Sequence, residues 1–150
     1  MATPPVFEAE YEVASWTVST TPRTVSPTTN IGDKLVVAAV TADQLTQLTS
    51  PPTGNSLTYT LAQSIEAASS CQVYGWTAPD NTGGAGWTLS VSETGSGAPP
   101  WGFTVPRFSA SEGFGASAKT GPTSGAPSLD ITTCSKVGFC SGLMSPTETS

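Results

Sequence analysis

Apolar residues arrive along this chain in strand-length bursts separated by turn residues. The longest burst is Ile31-Gly32-Asp33-Lys34-Leu35-Val36-Val37-Ala38-Ala39-Val40-Thr41. Its valines fall on both parities, which predicts a strand covered on both faces, as in the centre of a sandwich. A buried helix is the competing reading of such a run. The β-branched residues, and the glycine entering it, favour a strand.

The other bursts are shorter and alternate more cleanly. Phe7, Ala9, Tyr11 and Val13 alternate with Glu8, Glu10 and Glu12, a period of two with carboxylates on one face. This first strand is expected over 6–18, with a parity shift after Ser15 to Trp16 and Val18, as at a bulge or bend. A short edge strand is expected near Arg23–Ser26, and residues 42–48 offer one helical turn at most. Pro51-Pro52-Thr53-Gly54-Asn55 is a loop by its turn chemistry. Leu57, Tyr59, Leu61, Gln63 and Ile65 then share one parity. Over 70–77, Tyr74 and Trp76 share one face, with Cys71 and Val73 on the other. Trp87, Leu89 and Val91 follow a glycine-rich turn, and Trp101–Phe108 follows another. Pro106 cannot donate to a ladder, which predicts an edge strand or a bend there.

Residues 109–127 are rich in Gly, Ser and Ala, with Phe114 their only large apolar residue, and read as a functional loop or interaction arm. Leu129, Ile131, Val137 and Phe139 supply a weaker last strand. The whole pattern predicts an all-β fold: a single antiparallel β-sandwich over 1–141, jelly-roll-like, with an immunoglobulin-like order as the alternative. Residues 142–150 read as a flexible tail.

Composition narrows the function. At 150 residues the chain is most simply one domain. Only 11% of residues are charged, which suits a surface packed into an assembly or facing the outside of a cell or particle. Net charge is −6, and the five basic residues, Arg23, Lys34, Arg107, Lys119 and Lys136, are scattered. Nucleic-acid binding therefore has no electrostatic basis. No stretch reaches the length of a membrane span, and Met1-Ala2-Thr3-Pro4-Pro5 lacks the charged and apolar regions of a signal peptide. Synthesis in the cytosol is the expectation. Cys71, Cys134 and Cys140 cannot all pair internally, and reduced thiols in or near the core are expected. Cys134 and Cys140 are close enough to form a small loop if oxidised.

No catalytic constellation assembles from the sequence. The chain has no histidine, which removes the commonest general base, the usual Ser and Cys triads and most zinc sites. Glycine-rich segments 83–86 and 95–97 do not join a strand to a helix, so they are weak phosphate loops. Acid pairs for glycoside cleavage rest only on scattered carboxylates. Asp33, Asp43, Asp80 and Asp130 lie near strand ends, where a calcium ion is one reading and turn chemistry the simpler one. No enzyme activity, cofactor or metal is expected. Among the aromatics, Trp76 and Trp87 fit a core, whereas Trp101, after Ala98-Pro99-Pro100, is the expected exposed one. Trp101, Phe103 and Phe114 are the candidate contacts for a partner protein or a glycan.

Gly32-Asp33-Lys34-Leu35-Val36-Val37, followed by Pro52-Thr53-Gly54 and Leu57-Thr58-Tyr59-Thr60-Leu61, resembles a family of β-sandwich proteins. These are encoded among the virion structural genes of phages infecting Actinobacteria. Cys71-Gln72-Val73-Tyr74-Gly75-Trp76-Thr77-Ala78 and Trp101-Gly102-Phe103-Thr104-Val105-Pro106-Arg107-Phe108-Ser109 continue the pattern, so the likeness covers roughly residues 6–133. It implies a virion location and a non-enzymatic capsid decoration, minor capsid or tail-associated protein. Its partners would be other virion proteins and further copies of itself. The alternative is a tail-associated carbohydrate-binding module working through Trp101. One departure stands out: Cys134–Cys140 is a poor final strand, which leaves either an irregular strand or an edge that a neighbouring subunit completes.

Overall fold

The computed structural model describes residues 5–13, 22–41, 46–47, 50–67, 71–95, 101–111 and 113–114. Among them are strands and turns but no helix, and every strand pair is antiparallel. The strands are β1 (Val6–Val13), β2 (Arg23–Val25), β3 (Lys34–Thr41), β4 (Thr46–Gln47), β5 (Thr60–Ala67), β6 (Cys71–Pro79), β7 (Leu89–Val91), β8 (Thr94–Gly95) and β9 (Trp101–Ser109). Five form one sheet in the order β1-β9-β3-β6-β5, while β2 pairs with β7 and β4 with β8.

The long apolar run becomes β3, at the middle of the five-stranded sheet. It pairs with β6 along its whole length, from Lys34 opposite Pro79 to Thr41 opposite Gln72. Its odd-numbered side chains define the inner face: Val37 lies opposite Trp76, and Ala39 sits between Tyr74 and Phe103. Leu89 and Val91 of β7 belong to the same buried cluster, with Val25 and Trp87 packed against it. The core therefore lies where the β2–β7 pair meets this face. Each large side chain buried there contributes about 1.5–3 kcal/mol.

Three sequence expectations are corrected. First, the three carboxylates of β1 do not all share a face: Glu10 and Glu12 do, and Glu8 does not. The register slips between Phe7 and Ala9, so Phe7 opposes Phe108 while Tyr11 opposes Val105, on the other face. Glu8, inside the bulge, turns to Arg107 and Ser109, whereas Glu10 meets Thr104. Second, of the two expectations for Pro106 the edge strand is ruled out, because β9 lies between β1 and β3. The β3–β9 pairing lapses opposite Val36 and Val37 and resumes in the same register, which accommodates the missing donor. Third, Tyr59 and Leu61 do not share an environment. Tyr59 precedes β5 and is buried in the core, whereas Leu61 stands half exposed on the strand at the end of the sheet order.

Thr46 and Gln47 are a strand rather than part of a helical turn. The expected strand beyond Val13, the last strand over 129–139, the tail, and Asp43, Asp130, Cys134 and Cys140 lie outside the described residues.

Candidate functional site

Two turns meet at the Lys34 end of the sheet and form a closed polar network. The segment before β3 and the loop after β6 are tied by reciprocal backbone bonds between Thr29 and Gly84, at 2.8 and 2.9 Å. The Gly32 N–H also donates to the Asp80 carbonyl at 2.7 Å, and the Asp80 N–H to the Asp33 carbonyl at 2.8 Å. The Asp80 side chain is fully buried. Its Oδ1 accepts from the Thr82 and Gly83 N–H groups at 2.8 and 2.7 Å, and Thr29 donates its hydroxyl to Oδ2. Trp87 Nε1 donates to that hydroxyl at 3.1 Å. Gly83, at φ 64°, makes the turn possible.

Burial alone would raise the Asp80 pKa. The hydrogen bonds from Thr29, Gly83 and Thr82 outweigh it and hold the carboxyl below its ordinary value. Burial, helped by the Asp80 charge, pushes the Tyr59 phenol up, so it stays protonated.

Asp33 and Arg107 extend the network. Asn30 N–H donates to Asp33 Oδ2 at 2.8 Å, and Arg107 Nε lies 3.4 Å from the same oxygen, an ion pair rather than an aligned hydrogen bond. The guanidinium also donates to the Thr28 carbonyl and lies 3.5 Å from Glu8. Protein groups thus engage both Asp80 oxygens and Asp33 Oδ2, which is turn chemistry rather than an open cation cradle. Among the described residues no group of three metal-ligating side chains converges.

The aromatic candidates separate. Trp101 is 0% exposed and Phe103 4%, stacked with centroids 6.2 Å apart. The expectation that Trp101 stands exposed at a loop mouth is corrected. It opposes Thr41 inside the ladder, and the Arg23 guanidinium covers its ring at 4.8 Å from the centroid. That buried arginine faces Glu93, whose pKa is raised by burial and lowered in part by Arg23. Phe114 is 39% exposed. Of the loops expected to meet partners, 94–100 and 109–128 lie largely outside the described residues, whereas most of 43–55 is described.

The feature that the residue-by-residue search for chemistry missed is the outer face of the large sheet. There β3 presents Val36, Ala38 and Val40, and β6 presents Val73, Gly75 and Thr77. β9 adds Gly102, Thr104, Pro106 and Phe108. Lys34 is the only charged residue on this face of the three central strands, and its Nζ donates to the Gly32 carbonyl at 3.0 Å. A sheet face left to water normally carries polar side chains. The signal was the double-parity valine run of β3. A shallow depression of about 280 Å³, lined by residues such as Ser56, Thr58 and Asn81, lies at the Lys34 end and gathers no titratable group.

No family model, curated protein or solved structure matches the chain.

Proposed function

We propose that this chain is a non-enzymatic structural subunit of a phage virion, most simply a capsid decoration or minor capsid protein that binds other virion proteins. The observation that carries the subunit reading is the second apolar face of the five-stranded sheet. A sheet with one apolar face needs one cover; a sheet with two needs a further layer or a neighbour. The virion assignment rests on the resemblance carried by Gly32–Val37, Cys71–Ala78 and Trp101–Ser109. The low charge agrees with it, and so does a polar network whose carboxylates are engaged by protein donors.

In this reading β2–β7 and β4–β8 belong to the second layer of a jelly-roll-like sandwich, and the protein works as an oligomer. The glycan-binding reading loses the aromatic it was built on, because Trp101 is sealed beneath Arg23. Quantitative mass spectrometry of purified phage particles tests the proposal. The expected result is this chain at a fixed copy number relative to the major capsid protein. Its absence from particles that contain the other structural proteins would overturn the proposal.

A further inference from the structure

We propose that the outer face of the five-stranded sheet is a two-fold interface between two copies of this chain. The inference rests on reading the chain as a structural subunit, and it assigns that subunit a partner and a surface.

The face suits another sheet better than it suits water. Its central row runs Thr104, Ala38 and Gly75 across three neighbouring strands, flanked along β3 by Val36 and Val40. Small residues in the middle let two sheets approach to about 10 Å, the usual spacing of packed sheets. Val36, Ala38 and Val73 remain half-buried, whereas Val40, Gly102 and Pro106 are already buried within one copy. The lower exposure of Phe108 has a local cause: Phe7 packs edge-on to it, with centroids 5.9 Å apart.

Size and charge point to a second copy. Eight-residue strands of about 26 Å, five abreast at about 4.8 Å, offer roughly 500 Å² per copy. Two copies then bury at most roughly 1,000 Å², the lower bound of a specific interface. The acids of this face, Glu10 and Glu12, lie on β1 at one border, whereas the β5 border carries Thr60 and Gln63. A two-fold axis along β3 lays β1 of one copy over β5 of the other. The carboxylates then meet uncharged side chains instead of each other, and Lys34, which the axis lays over its own copy, sits at the end of β3 with its Nζ on the Gly32 carbonyl.

Gly75 gives a clean test. A Cβ built there meets only the Gln63 carbonyl, at an ordinary 3.8 Å, so the fold itself accepts a side chain. By sedimentation equilibrium the full chain is expected at a two-copy mass. Gly75→Ala should keep that mass, and Gly75→Arg should fall to one copy with an unchanged circular dichroism spectrum. A one-copy mass for the unaltered chain, or a two-copy mass for folded Gly75→Arg, would overturn the interface. Should Gly75→Arg lose its folded spectrum, Thr77→Arg on the same face replaces it.

Mixed isotope labelling gives a readout that needs no variant. Cross-copy nuclear Overhauser effects between Val40 and Val73 methyls, which the axis along β3 brings together, support the interface. Effects from those methyls to residues 129–139 of the same chain contradict it. A one-copy mass removes the interface and leaves the virion reading to particle composition. A two-copy mass with the chain absent from particles does the reverse.

Discussion

Three strands build both faces of the large sheet, and the two faces have different fates. On the inner parity, β3, β6 and β9 carry Leu35, Val37, Trp76, Trp101 and Val105, all sealed. On the outer parity the same strands carry Val36, Ala38, Val73 and Thr104, left half-buried. The inner face has large side chains and its own cover from β7, with Arg23 of β2 over Trp101. The outer face has mostly smaller ones, and several of its residues keep part of their area open. The contrast teaches that apolar character alone does not identify a core. The size of the side chains and the element laid over them decide whether a face stabilises the subunit or awaits a partner.

The largest expected effect is on the inner face. Trp76→Ala removes a buried ring stacked on Tyr74 at 5.5 Å. It should cost about 3–5 kcal/mol in urea unfolding. Equal losses from Trp76→Ala and Val36→Ala would erase the distinction between the faces.

A second contrast lies between two glycines of the outer parity. A Cβ at Gly102 would sit 2.8 Å from the Val13 carbonyl, a backbone atom that cannot swing away. Gly102→Ala should therefore cost about 1–3 kcal/mol. Gly75→Ala, with its open surroundings, should change unfolding by less than about 1 kcal/mol.

The closed network makes a prediction in pH. Asp80 is held below the unfolded carboxylate value of about 3.9, so it adds stability that is fully present above that value. That stability is lost as pH falls through the lower folded-state pKa. Asp80→Asn should be about 1–3 kcal/mol less stable at neutral pH, with the deficit shrinking below about pH 4. A deficit of constant size from pH 7 to pH 3 would show that the carboxylate charge is not what matters. The smallest effect belongs to an exposed side chain beside that network. Ile31 is 75% exposed, and Ile31→Ser should fall within about 0.5 kcal/mol of the unaltered protein in thermal unfolding.

Much of this fold was legible in the chain. Alternation identified β6 with Tyr74 and Trp76 on one face, and the valine run of Val36–Val40 identified the central strand. What failed was local. The bulge at Phe7–Ala9 moves Glu8 and Phe7 to opposite sides from those a strict period of two assigns, and no residue type marks it. Pro106 points to an edge or a bend because a lost donor is visible in sequence, whereas the lapse in pairing that keeps β9 interior is not. Trp101 departs from expectation for a similar reason: the Ala-Pro-Pro before it marks a loop, but its cover comes from Arg23, far away in the chain. The outer face was half legible. Valines on both parities announced two covered faces, yet sequence does not say whether the second cover belongs to the same chain.

That question has a direct measurement. A paramagnetic cosolute broadens methyl resonances that solvent reaches, and Val36 and Val73 report the outer face, Val37 the core and Ile31 open solvent. The predicted result is that Val36 and Val73 are shielded almost like Val37 in the unaltered protein. In Gly75→Arg they become accessible while Ile31 is unchanged. Equal accessibility of Val36 and Val73 in the two proteins would contradict the account.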